Sequence, residues 1–194
     1  MRIITGKYKG RHFDIPRSFK ARPTTDFAKE NLFNVLRGYT GFEGKDALDL
    51  FAGTGSISLE LLSRGCRHVT SVELDRDHAA FIRQCVSRLQ TSDDNIGHQL
   101  VRADVLRFLK NCRTRYDIIF ADPPYALPAL PEIPRMVLEK DILNPGGVFV
   151  FEHGKDHDFS RLPHFVEHRA YGSVNFSLFR VGEQTPGPQT PTVE

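Results

Sequence analysis

The segment Asp122-Pro123-Pro124-Tyr125 combines groups that could bind a flat ligand carrying an amino group. It follows the apolar run 116–120, which predicts a buried strand. Proline has a fixed φ and no N–H, and a residue before proline is pushed toward extended geometry, so we predict a stiff turn. This turn would present backbone carbonyl oxygens, a carboxylate and an aromatic ring at a strand end.

Such a turn could activate the exocyclic amine of a nucleic-acid base. This nitrogen is a poor nucleophile because its lone pair is conjugated with the ring. The Asp122 carboxylate and the Pro123 carbonyl oxygen could accept its two protons and favour a pyramidal nitrogen, while Tyr125 stacks on the base. Catalysis would then depend on positioning and electrostatics, and the base would have to be flipped out. The alternative interpretation is a purely structural turn.

A second group of polar residues predicts a site for a cofactor that contains adenosine. Gly53 and Gly55 follow a predicted strand that carries Asp49, and glycines there permit a sharp turn and close approach of the backbone to a ligand. Glu73 ends the next predicted strand, where a carboxylate could accept both hydroxyl protons of a ribose. Asp104 follows the third strand and could meet the adenine amino group. A plain turn with a solvated Glu73 is the alternative.

Two classes of cofactor compete for this site. A nicotinamide dinucleotide site favours Gly-x-Gly-x-x-Gly with the pyrophosphate at the helix N-terminus, but Ser58 occupies the third glycine position. The Asp49 carboxylate would also repel a pyrophosphate. S-adenosylmethionine has no phosphate, and its amino group would be attracted to an acid. These points favour S-adenosylmethionine.

Alternating strands and helices from residue 45 onward would position both groups of residues. Apolar runs predict strands at 47–51, 69–73, 99–101, 116–120 and 148–152. Helices are predicted at 57–62, 75–89, 105–109 and 132–139. Residues 165–170 and 175–181 predict an antiparallel hairpin. The pattern indicates a doubly wound, mostly parallel α/β sheet, which binds ligands beyond the carboxyl ends of its strands.

The N-terminal segment is strongly basic and predicts contact with a polyanion. Residues 1–25 carry a net charge of +6, and the remaining residues carry −4. Lys7, Lys9 and Arg11 surround Tyr8, so the segment could hold phosphates and stack a base, although Tyr8 is equally suited to packing. Residues 22–26 predict the start of a helix.

Other residue types exclude several classes of site and location. The three cysteines are far apart and form no Cys-x-x-Cys pair, so we expect neither a disulfide framework nor a zinc site, and a reducing compartment is favoured. The sequence predicts no signal peptide and no membrane span. His153 and His157 are predicted to be surface residues rather than metal ligands.

The chain resembles the RsmD-type family, bacterial methyltransferases that act on guanine N2 of 16S ribosomal RNA. The resemblance runs from about Arg2 to Val181. It rests on motifs spread along the chain, at 6–11, 22–26, 49–55, 63–65, 122–125 and 171–172. The chain departs from the family pattern at Phe27, where arginine is common, and at Ser58, where glycine is common.

The resemblance implies a Rossmann-like class I methyltransferase fold with a mostly parallel seven-stranded sheet, a C-terminal antiparallel hairpin and a small N-terminal β/α extension. It implies an RNA-binding extension at 1–40 and a methyltransferase domain at 41–182, and the composition of 183–194 predicts a disordered tail. We further expect a cytoplasmic monomer whose partner is ribosomal RNA in the small subunit or its assembly intermediate.

The resemblance and the residue patterns together give three sets of candidate site residues and no metal site. The target-base set is Asp122, Pro123, Pro124 and Tyr125. The S-adenosylmethionine set is Asp49, Phe51, Ala52, Gly53, Thr54, Gly55, Glu73, Leu74, Asp104 and Val105. The RNA set is Lys7, Lys9, Arg11, Arg22 and Thr24. The alternative functions are adenine-N6 methylation, a nicotinamide-dependent oxidation, and RNA binding without catalysis.

Overall fold

The computed structural model describes residues 1–19, 25–90 and 96–182, and seven strands in these ranges form one sheet. The strands are β1 (Asp46–Leu50), β2 (His68–Glu73), β3 (His98–Arg102), β4 (Tyr116–Ala121), β5 (Leu143–His153), β6 (Phe165–Tyr171) and β7 (Val174–Arg180). Their order is β3-β2-β1-β4-β5-β7-β6. β1 to β5 pair in parallel, and β7 is antiparallel to both β5 and β6. The predicted fold class is therefore confirmed.

Four of the five described helices connect the parallel strands, and the first helix precedes β1. They are α1 (Asp26–Leu36), α2 (Ser56–Ser63), α3 (Arg76–Leu89), α4 (Val105–Asn111) and α5 (Ile133–Glu139), the last preceded by a 3-10 turn at Leu130–Glu132. Side-chain oxygens of Thr25, Asp75 and Asp104 accept backbone hydrogen bonds at the starts of α1, α3 and α4. Such N-caps satisfy N–H groups that have no partner within the helix.

Two apolar layers cover the faces of the sheet. Since side chains alternate along a strand, neighbouring residues enter different layers: Ala47 packs with α1, α2 and α3, whereas Leu48 packs with α4 and α5. The first layer also contains Val69, Phe120 and Val150. Alternate residues of each strand thus point to opposite faces of the sheet. The same alternation determines the face to which a polar side chain at a strand end points.

The N-terminal segment packs into the first layer. Ile3, Tyr8 and Phe13 are buried there, so Tyr8 serves packing rather than offering a free face for stacking. The backbone of this segment folds into a short antiparallel hairpin around a bridge between Arg2 and His12, with hydrogen bonds that join Met1 to Phe13 and Ile3 to Arg11. Polar contacts to α2 hold this hairpin against the first layer.

Three predicted features fall wholly or partly outside the described residues. The tail at 183–194 and the candidate RNA contacts Arg22 and Thr24 lie there. Within the described ranges, none of the helices has the length and apolar character needed to cross a membrane.

Candidate active site at the carboxyl ends of the strands

Four carboxylates lie side by side on one face of the sheet, and we call them the carboxylate row. In each strand the carboxylate follows, by two or four residues, a side chain that belongs to the first apolar layer. Because alternate residues of a strand point to the same face of a sheet, all four carboxylates lie on the face that this layer covers. The strand order β2-β1-β4-β5 sets their sequence across the edge, which is Glu73, Asp49, Asp122 and Glu152. Three of them belong to the predicted sites, and the fold brings the cofactor and base residues together.

The carboxylate row concentrates negative charge in a poorly solvated place. Burial and, to a smaller extent, the charges of Asp122 and Glu73 raise the pKa of Asp49 to about 7, although hydrogen bonds from Ser58 act in the opposite direction. Burial also raises the pKa of Asp122 and of Glu152, and the two carboxylates repel each other. A cationic ligand would relieve this repulsion, whereas a pyrophosphate would increase it.

The turn between β1 and α2 is tightly folded. Phe51, Gly53 and Gly55 have φ angles of 61°, 55° and 77°, in the left-handed region that a non-glycine residue such as Phe51 rarely adopts. A Cβ on Gly55 would lie 2.9 Å from Cγ1 of Ile82, so this glycine allows α2 to begin close to α3. Ala52 and Thr54 are buried in the same turn.

Glu73 holds this turn in place. Its Oε2 accepts a hydrogen bond from the Gly53 N–H at 2.7 Å, and its Oε1 accepts one from the Asp75 N–H at 2.8 Å. Each carboxylate oxygen can accept a second hydrogen bond. The two oxygens of Glu73 can therefore bind two ribose hydroxyls while they still hold the turn. The side chain is 9% exposed, which restricts access to one direction.

Asp49 begins a buried chain of hydrogen bonds that sequence reasoning missed. Its Oδ2 accepts bonds from the Ser58 N–H, at 3.0 Å, and from the Ser58 hydroxyl. The Ser58 hydroxyl contacts the Ser71 hydroxyl at 2.6 Å, which in turn lies 2.8 Å from Nε2 of His98. Burial lowers the pKa of His98 to about 4, so its ring is neutral near pH 7. Ser58, which occupies a position where glycine is common in the family pattern, therefore orients the Asp49 carboxylate.

The remaining cofactor candidates surround the carboxyl ends of β2 and β3. Leu74 is 62% exposed and offers an apolar surface beside Glu73. Asp104 is exposed and caps α4, since its Oδ1 accepts from the Arg107 N–H at 2.9 Å, and Val105 is buried next to it. The Ala103 N–H donates to the Glu73 carbonyl oxygen, which joins this loop to the end of β2.

The predicted stiff turn follows β4 directly. The Asp122 N–H donates to the Leu50 carbonyl oxygen at 3.3 Å, and the Leu127 N–H donates to the Pro124 carbonyl oxygen at 2.8 Å. Pro123 is buried, whereas Tyr125 is 49% exposed. The turn is thus tied to β1 at its start, and it leaves one aromatic ring available at the surface.

Glu152 is the member of the carboxylate row that the sequence did not indicate. It is 7% exposed, and the Tyr125 hydroxyl donates a hydrogen bond to its Oε1 at 3.2 Å. Its position at the end of a predicted apolar strand gave no signal, because a terminal glutamate there is usually solvated. The pairing of Ala121 with Phe151 places it next to Asp122.

The basic N-terminal segment is fastened to the far end of α2. The buried carboxylate of Glu60 accepts bonds from the N–H groups of Ile4 and Thr5 at 2.9 and 3.0 Å, and the Lys7 N–H donates to the Ser63 carbonyl oxygen at 2.7 Å. Lys7, Lys9 and Arg11 have exposed side chains. The three described RNA candidates therefore share one ordered turn, away from the carboxylate row.

His153 corrects one sequence-based expectation. It is 0% exposed rather than a surface residue, because it belongs to β5 beneath Phe159 and lies 2.8 Å from the Ser177 hydroxyl. Its position within a longer β5 than predicted explains the difference. Among residues 1–19, 25–90 and 96–182, no cluster of three or more His, Cys, Asp or Glu could hold a metal ion.

Comparison with known proteins identifies relatives along nearly the whole chain. The family described as conserved hypothetical protein 95 matches residues 1–180. "Putative rRNA methyltransferase YlbH" of Bacillus subtilis is 38% identical over 159 residues, covering 80% of this chain and 84% of that protein. "Ribosomal RNA small subunit methyltransferase D" of Haemophilus influenzae is 30% identical, covering 93% of both chains.

Solved structures show the same architecture. The structure of "Putative methyltransferase yhhF from Escherichia coli" superposes with a TM-score of 0.80 at 27% identity, covering 95% of this chain and 99% of that one. The N-terminal segment and the C-terminal hairpin therefore both lie within the span shared with this neighbour.

Proposed function

Because this chain belongs to the RsmD-type methyltransferase family, described as conserved hypothetical protein 95, we propose that it methylates the exocyclic N2 amine of a guanine in 16S ribosomal RNA. The observation that carries the proposal is the position of the Asp122–Tyr125 turn, one strand away from Asp49 and two from Glu73. A base-binding turn beside a cofactor-binding turn is what methyl transfer to a base requires.

The carboxylate row fits S-adenosylmethionine as the donor. When bound, this cofactor supplies a methyl group on a positively charged sulfonium. Asp49 attracts its ammonium group, Glu73 accepts from the ribose hydroxyls, and Asp104 accepts from the adenine amino group. Gly53 and Gly55 let the backbone approach closely, while Leu74 and Val105 cover the adenine. The pKa values raised by burial favour a ligand that brings positive charge.

The Asp122–Tyr125 turn holds the base. Asp122 and the Pro123 carbonyl oxygen accept hydrogen bonds from the two N–H groups of the amine, which directs the nitrogen lone pair toward the donor side of the carboxylate row. The Asp122 carboxylate then takes up the proton that the methylated nitrogen loses. Tyr125 stacks on the base with its half-exposed ring, and Pro124 stiffens the turn. The aromatic contact stabilises a base that has left its stack.

Residues 41–182 form the catalytic domain in this proposal, and residues 1–40 recognise the RNA. Lys7, Lys9 and Arg11 contact phosphates, and Arg22 and Thr24 remain candidates for the same role. The substrate is the small subunit or an assembly intermediate, on which the enzyme acts as a monomer in the cytoplasm. The name of the Haemophilus influenzae relative supports the choice of the small subunit.

One assay tests this function against its alternatives. Labelled S-adenosylmethionine is incubated separately with naked 16S RNA, small subunits lacking the modification and duplex DNA, and the products are digested to nucleosides. We expect N2-methylguanosine from a ribosomal substrate. Label in N6-methyladenine, or in DNA alone, would contradict the proposal, and binding of RNA without any labelled product would favour a module without catalysis.

A further inference from the structure

One oxygen of Glu152 has an unusual position. Among the residues that the structure describes, Oε2 of Glu152 is the buried side-chain oxygen or nitrogen without a hydrogen-bond partner. The other carboxylate oxygen, Oε1, accepts a hydrogen bond from the Tyr125 hydroxyl. This contact orients the carboxylate and leaves Oε2 without a partner. Leaving a buried polar atom unpaired costs about 1–3 kcal/mol, and more for a charged group. An unpaired buried group in a native structure therefore needs a specific explanation, and a functional role is one of the recognised ones.

The order of the strands indicates which ligand this oxygen faces. Across the carboxylate row, Asp122 lies between the cofactor residues Asp49 and Glu73 on one side and Glu152 on the other. A base whose amine is held by Asp122 and directed toward the cofactor therefore extends its neighbouring ring atoms toward β5. Adjacent strands are about 4.8 Å apart, which is within reach of the next polar group along the edge of a base.

Guanine presents a donor at that place. Its N2 amine is flanked by the N1–H donor on one side and by the N3 acceptor on the other. A carboxylate oxygen accepts from N1–H but would be repelled by N3, so Glu152 favours the orientation with N1 toward β5. Adenine presents N1 as an acceptor next to its N6 amine, and an ionised Glu152 would repel it.

We propose that Glu152 selects guanine by accepting a hydrogen bond from N1–H through Oε2, while Asp122 and Pro123 hold the N2 amine. This inference rests on the proposed function and adds the specificity of the same site. The Tyr125 hydroxyl keeps Oε1 occupied and leaves Oε2 for the base, so the ring that stacks on the base also orients the group that recognises its edge.

The ionised form of Glu152 is the discriminating one. Burial and the neighbouring Asp122 raise its pKa in the ligand-free protein. A bound N1–H donor and a cationic cofactor both favour the ionised form, so binding of the correct base lowers this pKa again. An adenine in the same place would offer no donor to Oε2, and its N1 would gain a partner if the acid took up a proton.

A base analogue tests the proposal directly. 2,6-Diaminopurine keeps the N2 amine of guanine but replaces N1–H by an acceptor and O6 by an amino group, so the Glu152 variant is needed to assign the effect to N1. Small subunits are reconstituted from 16S RNA carrying either guanosine or 2,6-diaminopurine at the position that the labelling assay has mapped, and kcat/KM is measured for each. We expect the unchanged protein to prefer guanosine by about 10²-fold or more, because a site built around a donor rejects an analogue that lacks it.

Glu152→Met removes both the charge and the acceptor while keeping a similar volume. We expect its activity on guanosine to fall about 10- to 100-fold and its activity on 2,6-diaminopurine to change little, so the preference falls below about tenfold. Glu139→Gln, at an exposed position in α5, should leave both values unchanged. Thermal unfolding and affinity for S-adenosylhomocysteine should be retained in Glu152→Met, because a buried carboxylate with one unpaired oxygen has been replaced by an apolar group of similar volume.

Tyr125→Phe distinguishes direct recognition of the base by Glu152 from an indirect effect of Glu152 through its contact with Tyr125. It removes the hydroxyl that contacts Glu152 but keeps the aromatic ring. If Glu152 contacts the base itself, Tyr125→Phe retains the preference for guanosine. The proposal is overturned if Tyr125→Phe loses this preference as fully as Glu152→Met, if Glu152→Met retains it, or if the unchanged protein uses both bases equally. Absence of product with every substrate would overturn the proposed function as well.

Discussion

At the scale of single residues, burial disfavours the ionised carboxylates of the site, whereas hydrogen bonds stabilise them. Asp49 and Asp122 are held in places that disfavour their ionised forms, and Ser58 provides two hydrogen bonds that partly stabilise the Asp49 carboxylate. A site of this kind favours a cationic ligand and keeps acceptors available for an amine. The roles of the individual residues are consequently separable by substitution.

Asp122→Ala should abolish most of the methyl transfer without loss of the cofactor. Removing a charged acceptor that positions the amine is expected to lower kcat by at least about 10²-fold. S-adenosylmethionine contacts Asp49 and Glu73 in the proposed site, so its Kd should change by no more than a few-fold. Single-turnover transfer and calorimetric titration check both values. A large loss of cofactor affinity would show that Asp122 belongs to the cofactor site instead.

The rate of transfer should rise with pH through the neutral range. Asp122 must be ionised to accept protons from the amine, and burial raises its pKa, so the inactive protonated form persists to higher pH than for an ordinary aspartate. The titratable groups facing it are Glu152 on β5, Asp49 on β1 and Tyr125 in its own turn. Single-turnover rates between about pH 5.5 and 9 should show one acidic limb.

Glu152→Gln provides the control for this pH dependence. Burial raises the pKa of Asp122, whereas the charge of Asp122 is one of the causes that raise the pKa of Glu152, so Glu152→Gln should leave the acidic limb in place, whatever happens to the maximum rate. A limb that disappears or moves to lower pH would mean that Glu152, rather than Asp122, limits the reaction at low pH.

At the scale of elements, α2 joins the two functional regions of the molecule. Its first turn follows the cofactor loop, and its last turn carries the contacts to the N-terminal segment. Glu60 in between is 0% exposed and is balanced by Arg64 at 2.9 Å and by the Lys29 ammonium at 3.6 Å. An eight-residue helix is about 12 Å long, which separates the basic turn from the carboxylate row by roughly that distance.

The two glycines at the start of α2 should differ in their tolerance of alanine. Gly55→Ala brings a Cβ within 2.9 Å of Ile82 in a backbone with φ of 77°, whereas the nearest atom to a Cβ on Gly53 is 3.9 Å away. Gly53→Ala should therefore cost only the backbone strain, about 1–2 kcal/mol. Gly55→Ala adds a steric clash and should lower both Tm and cofactor affinity further. Equal effects of the two substitutions would contradict the packing argument.

At the scale of the whole molecule, charge and distance define the kind of RNA that fits. The carboxylate row repels phosphates, so the backbone of the target nucleotide must approach from outside it while the base enters. The cations of the basic turn lie about one helix length of α2 away, and in the proposed function they contact phosphates of other nucleotides. Folded ribosomal RNA can satisfy both requirements together, whereas a mononucleotide cannot.

Charge reversal in the basic turn should weaken RNA binding and its salt dependence. Lys9→Glu with Arg11→Glu removes two phosphate contacts, which should reduce the slope of log K against log salt by about two. Arg113→Glu, exposed before β4 and away from the N-terminal segment, is the matched control and should leave the slope unchanged. Binding is measured with 16S RNA at several salt concentrations. An unchanged slope in the double variant would refute the role of this turn.

The sequence by itself determined the local structure and much of the candidate site. Alternating apolar runs predicted all seven strands, and the residues predicted to bind cofactor and base followed strand ends, which a parallel sheet necessarily gathers at one edge. Capping residues likewise predicted where α1 begins, because such a hydrogen bond spans only three residues.

Only the tertiary structure decided the features that depend on distant pairing. Glu152 lies beside Asp122 because β5 pairs with β4 across 30 residues of chain, and no local pattern distinguishes it from a solvated glutamate. Tyr8 is buried because the Ser63 hydroxyl on α2 accepts a hydrogen bond from its N–H, and Glu60 accepts one from the N–H of Ile4, so the N-terminal segment is held against the first apolar layer. Local sequence sets which residues stand at a strand end, but burial, charge coupling and an unpaired oxygen arise only when separate strands and helices pack together.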